Sequence, residues 1–345
     1  MRTFLLILLL AVLSPVAARA AQIDIYSGEA AVADKSAAES KRALPQALQH
    51  VLVKMSGLRN FDEYPQVEPA LAIAPEILIS FHYRTVEVPA ADGSTNEQLR
   101  LVGRFAANKV DELARTLQLP LWPAMRTPTQ IWVVVDDGLD RRIMPLEFEY
   151  ARRAMDDAAW WRGLPVSWPM ADEQGEYEVD PQLLWGGYTE DLAIDTDSAA
   201  MIVAARREGP QWSVRSNLTY GGQSWNWRLQ NIDLQAALTE NVQQAADLVA
   251  SANTIAATDL GTSVYDLTVT GLRGAADYAR CLEYLQQLEI VDQVAVLSAR
   301  PATVAFRLEL SALPRYLEDT LLDGAVLGFD EARKEYILIN ETLTP

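Results

Sequence analysis

The hydrophobic positions change period several times along the chain, and each change marks an element. Leu44, Ala47, Leu48, Val51, Leu52 and Met55 recur at three- and four-residue steps, the repeat of one helix face, and Ser56-Gly57 stops the run. A short strand-like stretch from Gln22 to Ala33 precedes this helix. Ile77, Ile79, Phe81 and Tyr83 alternate with Leu78, Ser80, His82 and Arg84, and Leu99, Leu101, Gly103 and Phe105 alternate again beyond the turn-rich Pro89 to Asn96. That period of two predicts an antiparallel hairpin. Val110, Leu113, Ala114 and Leu117 predict a closing helix.

The next segment opens with Gln130 to Val135, too continuously apolar for a one-sided sheet, which predicts a central, covered strand. A helix from Glu147 to Trp161, a short extended piece from Leu164 to Trp168, an acidic irregular stretch and a strand from Ala199 to Ala205 follow. Tyr220-Gly221-Gly222-Gln223 predicts a two-residue hairpin turn, because only such residues accept the backbone angles it requires. The turn sets the register: Leu218 opposite Trp225, Ser216 opposite Trp227 and Val214 opposite Leu229. These six and Trp212 share one face, while Arg215, Asn217, Asn226 and Arg228 share the other. A helix from Asp233 to Ala257 has the apolar side to cover the first of these faces.

Strand Val264 to Thr270, helix Ala275 to Leu288, strands Ile290 to Leu297 and Thr303 to Leu310, helix Leu313 to Leu322 and strand Glu335 to Ile339 give the order β-α-β-β-α-β. The expected architecture is therefore α/β and α+β: three small sheet-plus-helix units, the last ferredoxin-like. Their bounds are 21–119, 129–258 and 259–345, with a proline-punctuated linker at 120–128.

Residues 1–20 have the organisation of a secretory leader. Arg2 supplies the positive start, Phe4 to Leu13 an apolar run too short to span a bilayer, and Ala18-Arg19-Ala20 a cleavage site after Ala20. The expected location is the periplasm, with no transmembrane segment and no lipid attachment. Lys+Arg 29 against Asp+Glu 47 gives a net charge of −18, and export would remove Arg2 and Arg19 as well. A nucleic-acid partner needs a basic footprint, which this balance argues against. The lone Cys281 lies on an apolar helix face with Tyr278, Leu282 and Leu285, and its expected role is a buried structural thiol.

Leu44-Pro45-Gln46-Ala47-Leu48 through Val51-Leu52-Val53-Lys54-Met55-Ser56-Gly57, the Ile131-Trp132 strand, Arg162-Gly163-Leu164-Pro165 and the Trp212 strand with its Trp-rich return resemble a family of secreted proteobacterial envelope proteins catalogued as domain of unknown function 2066. The resemblance implies an envelope location in a Gram-negative bacterium, no assigned activity and no catalytic residue to carry over. The middle unit also looks like the small α/β domains of periplasmic assembly proteins, which bind other proteins.

All nine Trp lie between residues 122 and 227. Trp132, Trp225 and Trp227 fall on inward faces and are expected in the core; Trp160, Trp161, Trp168 and Trp185 border loops and are the candidate binding surface. The acidic stretch from Asp172 to Asp197 fits no calcium-loop spacing, so no metal is expected there. Asp136, Asp137, Glu147 and Glu149 are the only local carboxylate cluster suited to hydrolysis. His50 falls off its helix's apolar stripe and His82 faces away from Phe81, so both are expected at the surface rather than as a catalytic pair. No nucleophile elbow, zinc-protease or phosphate-loop motif occurs. The expectation is a soluble periplasmic protein that binds another envelope protein without a cofactor, its oligomeric state open. The alternatives are a carboxylate-dependent hydrolase of cell-wall glycan or another envelope polymer, and a carrier of a small apolar ligand.

Overall fold

The computed structural model describes residues 21–89, 95–172, 177, 179–187, 199–322 and 326–339. The expected leader and most of the acidic stretch lie outside these residues. Within them the chain is a mixed α/β structure of three sheet-plus-helix units, as the periodicities imply.

The first unit contains β1 (Ser27–Ala31), α1 (Ala37–Ser56), β2 (Leu78–Pro89), β3 (Thr95–Phe105) and α2 (Ala107–Thr116), with sheet order β1-β3-β2, all antiparallel. Helix α1 begins where the Ser36 side chain accepts from the Glu39 N–H, a local cap for an otherwise orphan donor. It lies close over β1 because Gly28 has no side chain: a Cβ there would sit 1.9 Å from the Ala47 carbonyl oxygen. The alternation in β2 does not place Ile79 and Phe81 inside. Both are exposed, because β2 is an edge strand whose register shifts between Leu78 and Ser80.

The middle unit contains β4 (Thr129–Asp136), β5 (Arg141–Ile143), α3 (Glu149–Arg162), α4 (Pro181–Gly186), β6 (Ala199–Glu208), β7 (Gln211–Tyr220), β8 (Gln223–Asn231) and α5 (Leu234–Asn253). Its sheet runs β8-β7-β6-β4-β5, with β4 parallel to β6 and also to a two-residue strand, Val166–Ser167. The Gly221-Gly222 turn, φ 53° and 72°, sets the expected register, with Leu218 opposite Trp225, Ser216 opposite Trp227 and Val214 opposite Leu229. Helices α3 and α5 cover the face carrying Ile131, Val133, Met201, Val203, Val214 and Leu218. The opposite face carries a smaller cluster of Trp132, Val134, Ile143, Leu184 and Ile202, so β4 is buried on both sides.

The third unit contains β9 (Leu260–Leu272), α6 (Ala275–Gln287), β10 (Val291–Arg300), β11 (Ala302–Ala312), α7 (Pro314–Leu322), β12 (Leu327–Asp330) and β13 (Glu335–Leu338). The ferredoxin-like β-α-β-β-α-β order is present, lengthened by β12. That strand forms a hairpin with β13 and takes the edge, so β13 pairs parallel to β9 in the order β10-β11-β9-β13-β12. Cys281 is fully buried, and burial pushes its thiol up to about 11, as an inert core residue requires.

Residues 120–128 are not a loose tether. Trp122 and Arg126 are buried within them, and Leu121 exchanges backbone hydrogen bonds with Ile255 at 2.9 and 2.7 Å. No helix among the described residues is long and apolar enough to cross a membrane.

Candidate functional site

Two of the residues singled out in the sequence, Asp136 and Trp185, meet on the middle sheet's second face. Helix α4 starts at Asp180, whose carboxylate accepts from the Gln182 N–H at 2.7 Å, and it presses Leu184 onto Trp132 and Ile202. The next residue, Trp185, is thereby held among guanidinium groups: Arg141 at 4.6 Å, Arg206 at 4.9 Å and Arg215 at 6.0 Å from its ring centre. Such cations are attracted by the electron-rich ring face. Asp136 ends β4 and accepts from Arg141 at 3.1 Å and from two nitrogens of Arg206 at 3.2 Å. Arg141 also donates to Gln182 at 2.6 Å, and Arg215 donates to the Trp185 carbonyl.

Beside this group a cavity of about 200 Å³ is lined by Leu184, Ile202, Ala204, Arg215, Asn217 and Asn226. Asn217 donates to the Asn226 side-chain oxygen at 2.9 Å, leaving its own side-chain oxygen buried and unpartnered. Arg228 stands directly across from Arg215 in the register. Four arginines thus share an open face with the Asp136 carboxylate, in a chain of net charge −18. The chemistry suits holding carboxylates or other oxyanions, which match the planar guanidinium fork.

The four carboxylates are each neutralised by arginine. Burial pushes the Asp136 carboxyl up, but Arg141, the Gly138 N–H and Arg206 outweigh it and hold it below the usual range. The backbone N–H groups of Leu139 and Asp140, then Arg142, hold Asp137 low. Glu147 is lowered by its own backbone N–H and by Arg142, which it meets at 2.5 Å, and Glu149 by its bonds to Arg152. None is held protonated, so the group has no general acid of the kind a glycosidase pairs with a nucleophile.

The other candidate tryptophans lie elsewhere. Trp168 donates to Asp156 at 2.7 Å beneath Arg152, tying the segment after α3 back onto that helix. Trp160 and Trp161 end α3 at the junction with the first unit, 39% and 36% exposed. The Trp161 ring stacks on His50 at 3.8 Å and 6°, with Trp160 edge-on at 4.8 Å.

His50 is therefore not a surface residue: it is 0% exposed, because α3 covers the side of α1 that its own unit leaves open. Its Nδ1 accepts from the Glu29 N–H at 3.0 Å, so Nε2 carries the hydrogen and donates to the Trp161 carbonyl at 3.0 Å. Burial first, and the charge of Lys54 second, hold its pKa well below 6.5, and the ring is neutral. Lys54, one turn further along, donates to the Asp24 and Ser27 carbonyls, and burial lowers its pKa to about 8. Arg126 stacks 3.6 Å over Trp122 and donates to the carbonyls of Gly163, Lys54, Trp122 and Pro123. Arg162, 1% exposed, donates to the Gly57 carbonyl and to Asp247, both at 2.7 Å. Sequence reasoning missed this buried polar junction. Every residue from His50 to Ser56 is buried, so this end of α1 has no solvent face and is covered by more than its own unit, while the polar His50, Lys54 and Ser56 in the run leave no apolar period to announce it.

Residues 20–123 match the family profile of a domain of unknown function, DUF8605. That finding corrects the resemblance to domain of unknown function 2066: the helix and Ser56-Gly57 stop that carried the resemblance lie inside the matched region. The match ends at Pro123, inside the buried spacer. No curated protein matches the chain. A solved structure titled "Crystal structure of uncharacterized protein" aligns with 37% of this chain and 99% of its own, at 11% identity and a TM-score of 0.17.

Proposed function

We propose that this chain is a periplasmic binding protein of the bacterial envelope, exported by its leader, that holds another protein on the arginine-lined face of the middle sheet. The observation that carries the reading is the gathering of Arg141, Arg206 and Arg215 around Trp185 beside an open cavity, with Arg228 across from Arg215, against a strongly acidic whole. An aromatic ring fixed among guanidinium groups is a common anchor of protein interfaces, where Trp and Arg contribute most of the affinity. The arginine pairing of Asp136, Asp137, Glu147 and Glu149 gives no support to hydrolysis of an envelope polymer.

In-cell photocrosslinking from positions 226 and 228 is the test. A discrete adduct with one envelope protein is expected, absent when the crosslinker sits at position 309 of the third sheet and lost in Arg206→Glu/Arg215→Glu. The same diffuse pattern from all three positions would overturn the binding reading. Recovery of the uncleaved chain from the cytoplasm alone would overturn the location.

A further inference from the structure

Strand β8 ends the middle sheet, and among the described residues nothing pairs with its outer edge. An open edge offers a row of unpaired backbone donors and acceptors, which proteins normally guard with bulges, proline, lysine or shortness. Several of the other edges here show such guards. β10 carries two register shifts along its pairing with β11, β5 is three residues long, and β2 shifts register near its start and closes on Pro89. β8 has no bulge, proline or lysine: its nine residues run in unbroken register with β7, and its one charged side chain is Arg228.

The two faces of β8 specify what fits beside it. On the helix side Trp225, Trp227 and Leu229 are only half-buried against the core, so an adjacent strand would remove further apolar surface from water. On the other side Asn226 and Arg228 adjoin Asn217 and Arg215, in the arginine row described above. Resting on the binding function proposed above, we infer that an extended segment of the partner protein, alternating apolar with acidic residues, adds to the outer edge of β8 as a further strand. Main-chain bonds along the edge supply affinity, and alternate side chains supply selection. Apolar residues extend the row of Trp225, Trp227 and Leu229, and carboxylates meet Arg228 and Arg215. The β8 of a second copy brings the same arginine and, in its nine residues, no Asp or Glu, so charge disfavours it as the occupant.

The probe is an end-blocked nonapeptide alternating valine and glutamate, added to the full chain, with amide hydrogen exchange of β8 and fluorescence anisotropy as readouts. Binding with protection of the β8 amides is expected, weakened about tenfold in Arg228→Glu, an exposed change that leaves the fold intact, and abolished by N-methylation of alternate peptide amides. Equal binding of a permuted peptide of the same composition, or binding that leaves the β8 amides exchanging freely, would overturn strand addition. So would a peptide-free dimer that protects β8. A crosslinked envelope adduct from position 228 with β8 still unprotected would leave the proposed function standing and remove this inference alone; absence of any adduct would remove both.

Discussion

His50 shows how one buried ring couples a packing contact to pH. Its two nitrogens have fixed and opposite roles, so protonation would set an N–H against the Glu29 N–H. As pH falls below 6.5 the unfolded chain takes up the proton first, and stability declines until the lower folded pKa is passed. His50→Phe retains the stack on Trp161 but leaves the Glu29 N–H and the Trp161 carbonyl unpaired, at a cost of about 2–4 kcal/mol in urea unfolding. It also removes His50's share of the slope below pH 6.5, where the wild-type curve should fall toward that of the variant. Parallel curves would show that the ring is not held neutral. Lys54 acts at the other end of the scale: from about 8 to 10.5 the unfolded chain keeps a proton that the folded chain has shed, so its contribution to stability rises with pH there.

At the scale of elements, the contact of α1 on β1 and the β7–β8 turn depend on missing side chains. Gly28→Ala would drive a methyl into the Ala47 carbonyl, a backbone atom that cannot rotate away. A loss of at least ~3 kcal/mol or failure to fold is expected, read by circular dichroism melting; a wild-type melting temperature would mean that helix and strand are further apart than described. The β7–β8 turn is the converse case, a local device legible in sequence. With both glycines at positive φ the strands must meet as a two-residue hairpin, and every cross-strand pair follows from that one constraint.

At the scale of the molecule the first and middle units are joined by buried cations that donate to main-chain carbonyls, and the third unit by a carboxylate. Arg126 in the spacer bonds the first unit at Lys54 and the middle unit at Gly163, while Arg162 reaches from the middle unit back to Gly57. Glu289 of the third unit accepts from the Ala124 N–H beside them, its carboxyl raised by burial. Such groups are costly to desolvate and each of these donates to several partners, so removing one side chain orphans several of them together. Arg162→Ala is expected to cost about 2–4 kcal/mol and to open residues 120–128 to limited proteolysis, with the first unit released intact. Unchanged protease resistance would show that the junction does not depend on this residue.

Local patterning by itself determined most of the longer elements, the central strand β4, the β7–β8 register and the two unlike faces of the middle sheet, because each depends on a period of two or 3.6 or on one turn; the short β5, α4 and β12 carry no such period. The buried state of Cys281 was legible for the same reason. Tertiary structure alone decided where His50 lies, since the surface covering it comes from Trp161, 111 residues later. It also brought Asp136, Arg141, Trp185, Arg206 and Arg215 together from five separate elements, and it inserted β12 at the sheet edge to make β13 parallel to β9. Periodicity reports which side of an element avoids water; which other element provides the shelter depends on contacts between distant residues, and no local repeat encodes those.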